Sequence, residues 1–247
     1  MKPRLSAVIP VYNEGEAVSA TLEAVFAALP QDAEVLVVYD MPEDTTAPVL
    51  ERYATMEPRL RPLHNTAGPG PANAIRFGLD QARADVAVVT MADSSDDPTQ
   101  IEELAQLVDG GAVIGAASRY MKGGRQIGGP LVKRTLSRLA GHSLYLLARV
   151  GTHDATNSFK AYSTDFVRQV GVESDQGFEI GIELVAKARR ARLPVAEIPT
   201  TWRDRSEGES RFRVAAWIPH YLRWYAYAFG PEHKIERSAQ NHAGEHK

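Results

Sequence analysis

Six short apolar runs along the chain predict strands. They are five to seven residues long and mostly rich in β-branched residues, which is typical of strands buried on both faces of a sheet. The run that starts at Arg59 is the weakest. The runs lie at residues 5–11, 34–39, 59–64, 86–91, 113–117 and 195–199.

Between these runs, apolar residues recur at the three-to-four residue spacing of amphipathic helices. Asp97-Pro98 has the form of a helix start, with a capping aspartate followed by proline at the first helical position. The helical patterns cover residues 18–29, 47 onward, 72–79, 98–107, 131–149 and 179–190. Strands that alternate with helices predict right-handed βαβ units and a mostly parallel α/β sheet with helices on both faces.

Beyond Arg119 the alternation weakens, although no repeat or low-complexity segment interrupts it. We therefore expect one domain over residues 1–230 with an elaborated C-terminal half. The polar composition of residues 231–247 predicts a disordered tail.

Four of the predicted strands end in polar segments. The carboxyl ends of parallel strands share one edge of a sheet, and ligands of open α/β sheets bind there. These ends therefore predict a binding crevice. The polar segments are residues 12–14, 40–44, 93–97 and 118–119.

The acidic segment after the run at 86–91 is the candidate metal site. Mg²⁺ and Mn²⁺ prefer oxygen ligands, commonly one or two carboxylates together with substrate phosphates. Asp93 follows the strand directly, which favours a metal ligand, whereas Asp97 is better explained as the helix cap. For Asp96 both interpretations stay open.

A basic segment complements the acidic one. Residues 119–138 hold six lysines and arginines and no acidic residue, with two glycine-rich stretches inside them. A mobile cationic loop that closes over phosphates is the functional interpretation, and a solvated positive face is the alternative. The basic residues are Arg119, Lys122, Arg125, Lys133, Arg134 and Arg138.

Composition and charge narrow the choice of function. The 247 residues contain no cysteine, which excludes disulfides, thiolate zinc sites and a cysteine nucleophile. A formal net charge of −3 provides no general attraction to nucleic acid. No uninterrupted apolar stretch is long enough for a membrane span, and no signal-like leader opens the chain, so we expect a cytoplasmic protein.

Residues 212–229 are aromatic, carry basic side chains and lack acidic ones. This composition suits an amphipathic helix at a membrane interface, which would place the protein at the inner face of the membrane. A terminal helix docked on the core is the equal alternative.

Taken in order, several motifs resemble the family 2 glycosyltransferases of the GT-A fold. More narrowly, they are similar to the polyprenyl-phosphate sugar transferases of the dolichol-phosphate mannose synthase group. The resemblance runs from about Leu5 to Arg213 and rests on the order and spacing of the motifs. The motifs lie at residues 8–14 (VIPVYNE), 40–44, 117–124, 154–160 (DATNSFK), 177–179, 197–199 and 205–211 (RSEGESR).

The resemblance implies an inverting transfer of a sugar from a GDP- or UDP-sugar to an acceptor, most simply a polyprenyl phosphate. Transfer to a soluble hydroxyl acceptor is one alternative, and a catalytically weak nucleotide-sugar-binding protein is another. A hydroxyl acceptor needs a general base, for which Glu179 is the carboxylate that the resemblance offers. Glu179 is equally open to an orienting role or a helix-start charge.

The same resemblance implies the roles of individual residues. It assigns catalysis to Asp93, Arg119, Glu179 and Arg211. It assigns Mg²⁺ or Mn²⁺ binding to Asp93, Ser95 and Asp96. It assigns donor binding to Pro10, Tyr12, Glu14, Asp40, Asp44, Ala92, Arg119, Arg134 and Arg205.

Two positions depart from the family pattern. Met91 stands where the family has the first aspartate of its Asp-x-Asp pair, and Tyr39 replaces the first aspartate of the nucleotide loop. A subfamily with the pattern Ala-Asp-x-x-Asp-Asp is the preferred explanation, with loss of activity as the alternative.

Overall fold

The computed structural model describes residues 2–204 and 214–232, and only the backbone of residues 214–217. The strands of these residues are β1 (Ser6–Val11), β2 (Glu34–Tyr39), β3 (Leu60–His64), β4 (Val86–Val89), β5 (Ile114–Ser118), β6 (Arg125–Ile127), β7 (Lys160–Ser163), β8 (Val195–Pro199) and β9 (Thr201–Arg203). The α-helices are α1 (Val18–Ala28), α2 (Ala47–Ala54), α3 (Pro71–Gln81), α4 (Ile101–Asp109), α5 (Leu131–Ser143), α6 (Thr164–Val170), α7 (Ile180–Arg190) and α8 (Val214–Ala228).

Seven strands form one mixed sheet in the order β3-β2-β1-β4-β7-β5-β8. The neighbours from β3 to β4 are parallel, β7 is antiparallel to both β4 and β5, and β5 is parallel to β8. Because β7 opposes both of its neighbours, β4 and β5 run in the same direction. The carboxyl ends of β1, β2, β4 and β5 therefore meet at one edge.

Strand β1 lies in the middle of this sheet with all six residues buried. Its alternate side chains enter two separate cores, because successive residues of a strand point to opposite faces. Ile9 packs in the core that contains α1 and α4, and Val8 packs in the core that contains α3 and α7. Helix α3 approaches closely at Gly78, where an added Cβ would lie 2.4 Å from Val8 Cγ1. The expected α/β fold with helices on both faces is confirmed.

All six predicted strands are present, with small shifts at their ends. The strands β6, β7 and β9 and the helix α6 were not predicted. The segment expected to be a mobile loop contains β6, which pairs in parallel with β9 in a separate two-stranded sheet. The long helical pattern at 131–149 is α5 followed by a π-helical turn at Leu144–Ala148.

Helix α8 is docked on the rest of the molecule through one stripe. Trp224 and Ala228 are buried in the core that contains α7, and Tyr225 Oη lies 2.9 Å from Ser143 Oγ. The opposite stripe, with Ile218 and Leu222, stays exposed. The docked-helix interpretation is thus confirmed for this part of the chain. Among the described helices, none combines the length and apolarity that crossing a bilayer requires.

Residues 233–247 of the predicted tail lie outside the described residues, so its disorder stays a prediction. The single-domain interpretation over residues 1–230 likewise stays a prediction.

Candidate active site

The loop after β1 is bound to the loop after β2 through Asp44. Its buried carboxylate accepts hydrogen bonds from the backbone N–H of Asn13 at 3.0 Å and of Thr46 at 2.8 Å. Thr46 Oγ1 in turn accepts from the backbone N–H of Glu14 at 3.0 Å. Both loops are therefore held as one wall of the crevice.

Asp40 acts in the same way on the glycine-rich segment before α3. Its carboxylate accepts from Asn65 Nδ2 at 2.8 Å and from the backbone N–H of Gly70 at 2.7 Å. The ring of Tyr39, at one of the positions that depart from the family pattern, stacks on His64 with centroids 5.6 Å apart. Protein donors thus already orient both nucleotide-loop aspartates.

The three carboxylates of the acidic turn after β4 (residues 93–97) lie in different environments. Asp93 Oδ1 accepts from the backbone N–H of Ser95 at 3.1 Å, around Ser94 in the left-handed region at φ 57°. Asp97 caps the turn before α4 by accepting from Thr99 N at 3.0 Å, so the capping interpretation is confirmed. Asp96 folds back onto the end of β4, where its Oδ2 accepts from Met91 N at 3.1 Å.

The position of Asp96 bears on the missing aspartate at Met91. Its carboxylate lies against the backbone of Met91 although the side chain comes from five residues further along. Burial, reinforced by the charge of Asp93, raises the pKa of Asp96 to about 7. Two half-buried carboxylates that are close enough to repel each other favour a bound cation, which would relieve both the repulsion and the desolvation.

Arg119, at the end of β5, is held by Asp154. The guanidinium donates from Nε to Asp154 Oδ2 at 2.7 Å and from Nη2 to Oδ1 at 2.8 Å. The backbone N–H of Arg119 donates to the same carboxylate at 3.0 Å. Burial alone would raise the pKa of Asp154, but the charge of Arg119, its hydrogen bonds and the charge of Lys160 together outweigh burial, and the pKa falls below its ordinary value. The pair therefore stays ionised inside the protein.

A cationic cavity of about 370 Å³ opens beside Arg119. It lies between the loop after β5 and the first turns of α5. Four of its eight lining residues are arginines, and none is acidic. The lining residues are Arg119, Tyr120, Met121, Gly124, Arg125, Gln126, Arg134 and Arg138.

Glu179 is buried at the start of α7, and two backbone donors hold it. Its carboxylate accepts from Gly177 N at 2.7 Å and from Gln176 N at 3.1 Å. Burial, reinforced by the charge of Glu179, raises the pKa of the nearby Tyr221. Ligand atoms of Asp175, Glu179 and His220 all lie within 4.8 Å of one another. This geometry supports an orienting role for Glu179 and leaves the general-base role a hypothesis.

The other residues that the sequence predicted for donor binding or catalysis differ in how far they are exposed. Tyr12 is 45% exposed at the end of β1, whereas Pro10 is buried within that strand and can only shape it. The carbonyl of Ala92 accepts from Thr21 Oγ1 at 2.7 Å and so faces α1. Arg205 and Arg211 lie outside the described residues, and their roles stay predictions.

The list of candidate residues drawn from the sequence missed two residues that the structure brings to the site. Asp154 orients Arg119, and Tyr221 lies near Glu179. Asp154 begins one of the motifs of the resemblance, so that motif could have identified it, whereas Tyr221 carries no local signal beyond its helical spacing. Arg138, which the basic segment had included, lines the cationic cavity.

Comparison with known proteins identifies the family. The model of glycosyl transferase family 2 matches residues 6–171. The polyprenol monophosphomannose synthase of Mycolicibacterium smegmatis is 31% identical over 230 residues, which cover 87% of this chain and 86% of that protein. The undecaprenyl-phosphate mannosyltransferase of Micrococcus luteus is 32% identical over 233 residues, covering 90% and 93%.

Solved structures share the fold at lower identity. Glucosyl-3-phosphoglycerate synthase from Mycobacterium tuberculosis, in complex with Mn²⁺, UDP-glucose and phosphoglyceric acid, superposes with a TM-score of 0.70 and 15% identity. That match covers 94% of this chain and 81% of the other. A mannosyltransferase from Pyrobaculum calidifontis, in complex with GDP-Man and Mn²⁺, has a TM-score of 0.60 and 18% identity, covering 88% and 60%. The chain belongs to glycosyl transferase family 2 and is a glycosyltransferase with the GT-A fold.

Proposed function

We propose that this enzyme transfers a hexose, with inversion, from a GDP- or UDP-sugar to a polyprenyl phosphate at a membrane surface. The cationic cavity carries the proposal, because it offers a phosphate site, and its Arg119 is close enough to Asp96 of the acidic turn for their charges to interact. Two relatives whose names specify polyprenyl-phosphate or polyprenol mannosyl transfer support it, since each match covers more than four fifths of both chains.

The residues after β4 fit a divalent cation. Asp93, Ser95 and Asp96 offer the oxygen ligands that Mg²⁺ and Mn²⁺ prefer. The raised pKa of Asp96 supports the fit, because a carboxylate that is costly to ionise alone is stabilised beside a cation. When bound, the cation would neutralise charge on the departing nucleoside diphosphate. Asp96 would then supply the carboxylate that is missing at Met91.

The donor site lies, in this proposal, along the loops after β1 and β2. Tyr12 and Glu14 are at the end of β1, and the carboxylates of Asp40 and Asp44 hold the backbone of the surrounding loops. We assign the two aspartates a positioning role, and the ribose and base contacts that the resemblance implies for them stay a prediction. Arg205 and Arg211 are assigned to the diphosphate by resemblance alone.

The acceptor phosphate binds, in this proposal, among the arginines of the cavity. Arg119 is oriented by Asp154, and Arg134 and Arg138 extend from α5 toward the same space. Arginine forks match phosphate oxygens with charge-assisted hydrogen bonds. A phosphate that is anionic near neutral pH attacks the anomeric carbon without a general base, from the face opposite the leaving group, and inverts that centre.

A soluble hydroxyl acceptor is the weaker alternative. It requires a base, and Glu179 is engaged with two backbone N–H groups. The catalytically weak alternative rests on Met91, and the carboxylate of Asp96 beside the Met91 backbone argues against it.

A transfer assay separates these functions. The purified protein is incubated with GDP-mannose or UDP-glucose, Mg²⁺ or Mn²⁺, and a short polyprenyl phosphate, with the matching unphosphorylated polyprenol as control. We expect sugar on the phosphate and none on the alcohol. Transfer only to free saccharides would instead support the hydroxyl acceptor, and nucleotide binding without turnover would support the weak binder.

A further inference from the structure

Helix α5 and the π-helical turn after it expose an unusual amount of apolar surface. The described residues contain twelve exposed large apolar side chains, and six of them lie in this short segment. They are Leu131, Val132, Leu136, Leu139, Leu146 and Leu147. We call the first four, which lie on α5, the α5 apolar face.

The α5 apolar face is one continuous stripe. Val132, Leu136 and Leu139 follow each other at spacings of four and three residues, which places them on one side of a helix. Val132 is 71% exposed and Leu139 is 63% exposed. On a solvent-exposed surface, a contiguous apolar stripe of this kind marks an interaction site.

The opposite side of α5 is bound to the loop that holds Arg119. Ser137 Oγ lies 2.6 Å from Thr156 Oγ1, and Gly141 is so close to the loop that an added Cβ would lie 2.1 Å from the carbonyl oxygen of His153. Arg134 and Arg138, on the same helix, line the cationic cavity. One side of α5 therefore lines the cavity, and another side of the same helix carries the exposed apolar stripe.

The chain segment that contains the stripe carries charges of a single sign. Residues 119–153 contain seven lysines and arginines and no aspartate or glutamate. Basic side chains beside an apolar stripe complement a lipid bilayer, whose anionic headgroups attract the charges while the leucines enter the acyl boundary.

Other occupants fit this surface less well. A second copy of the chain would bring two cationic faces together, which like-charge repulsion opposes. Two C-terminal segments lie outside the part of the chain that the structure describes. Phe212 is the only large apolar residue of residues 205–213, and Ile235 is the only one of residues 233–247. Neither segment offers an apolar stripe to match α5.

We infer that the α5 apolar face docks the enzyme on an anionic membrane surface, with the cationic cavity opening at the headgroup level. This inference rests on the proposed function, since it explains how the phosphate of a membrane-held acceptor reaches Arg119. The docking itself needs neither donor nor acceptor, so the two are tested separately.

The test is co-sedimentation of the full chain with vesicles of phosphatidylcholine, with and without phosphatidylglycerol. The test variant is Val132→Gln/Leu136→Gln/Leu139→Gln, in which glutamine keeps a high helix propensity. The control is Val132→Leu/Leu136→Met/Leu139→Met, which keeps the same positions apolar. We expect the wild type and the control to bind anionic vesicles, and the glutamine variant to bind at least about tenfold more weakly.

Activity provides the second measurement. Transfer to a short water-soluble polyprenyl phosphate should be the same in the glutamine variant, which also verifies its fold, while transfer to a long-chain acceptor in vesicles should fall. Equal vesicle binding by the glutamine variant and the wild type would overturn the inference. So would a wild-type dimer that the variant converts to monomer without any vesicle binding. Vesicle binding without transfer to any polyprenyl phosphate would sustain the docking and sink the proposed function.

Discussion

Arg119 and Asp154 form a buried ion pair that is bonded at two points, 2.7 Å from Nε to Oδ2 and 2.8 Å from Nη2 to Oδ1. The Asp154 side chain is fully buried and that of Arg119 is 11% exposed. The pair joins the end of β5 to the loop before β7, and thereby fixes the direction in which the guanidinium points. Asp154, 35 residues further along the chain, thus positions Arg119 at the cavity.

Replacing the carboxylate should destabilise the protein strongly. In Asp154→Asn the buried guanidinium loses its counter-charge, and breaking a buried pair from one side costs about 3–5 kcal/mol. Chemical denaturation measures the change in the free energy of unfolding. The exposed pair between Arg168 and Asp165, 3.4 Å apart, provides the matched control, and Asp165→Asn should cost about 0–1 kcal/mol. Similar losses in the two variants would contradict the structural role of Asp154.

Two aspartates of the acidic turn should respond differently to replacement by alanine, because Asp93 is a candidate metal ligand and Asp97 caps the turn before α4. We expect Asp93→Ala to reduce transfer at least about a hundredfold and to weaken Mn²⁺ binding, because a cation ligand is lost at the diphosphate. Asp97→Ala should keep transfer and lose about 1 kcal/mol of stability, because it removes only a cap. Calorimetric Mn²⁺ titration and a transfer assay distinguish them. An Asp93→Ala enzyme with full activity would exclude Asp93 as a ligand.

The cavity arginines should act on the acceptor and not on the donor. In Arg138→Gln one charge-assisted contact to the acceptor phosphate is removed, so the KM for polyprenyl phosphate should rise about tenfold or more. Donor binding, measured by titration with the nucleotide-sugar, should stay unchanged. Arg52→Gln, which changes an exposed arginine on α2, is the control and should alter neither. An effect of Arg138→Gln confined to donor binding would assign this cavity to the donor.

Glu179 is expected to be dispensable as a base. With a phosphate acceptor there is no proton to remove, so Glu179→Gln should retain transfer within about tenfold and leave the pH profile of the rate unchanged. General-base catalysis typically contributes about 10²–10⁴-fold, so a loss of that size would identify Glu179 as the base and favour a hydroxyl acceptor.

Lys160 should make stability depend on pH. Burial lowers the pKa of its amine from 10.5 to about 7, and its Nζ donates to the carbonyls of Ala155 and Asn157. Between these two pH values the unfolded chain binds a proton that the folded protein does not, so the free energy of unfolding rises with pH there. Below about pH 7 both states are charged, and the folded state carries the full cost of burial.

The measurement is the free energy of unfolding at several pH values across that window. Lys160→Met should remove the rise, whereas Lys2→Met, at an exposed lysine, should keep it. A wild-type curve that is flat from pH 7 upward would show that the buried amine keeps its proton.

Much of the fold is visible in local patterns. The apolar runs predicted β1 and β2 at nearly their observed bounds, because a strand buried on both faces must be apolar along its whole length. The proline and aspartate at 97–98 predicted the start of the turn before α4 for an equally local reason, the capping of free N–H groups. The polar strand ends predicted the edge of the sheet at which the candidate site lies.

The strand β7 shows where local reasoning ends. Lys160 opens it with a buried polar side chain, so the segment lacks the apolar pattern of a strand. Its place between β4 and β5, antiparallel to both, depends on backbone hydrogen bonds to residues that lie more than 40 positions earlier in the chain. The paired strands β6 and β9 are short and have no buried residue, which also leaves no periodic signal.

By itself, the sequence determined the alternation of strands and helices, the polar edge and the chemical classes present there, because spacing and composition act over a few residues. Only the tertiary structure decided how those groups are used. It turned Asp96 toward the backbone of Met91, bonded Arg119 to Asp154, and left the leucines of α5 in solvent. The physical reason is that a carboxylate, a guanidinium and an apolar side chain each have many possible partners, and packing between distant segments selects among them.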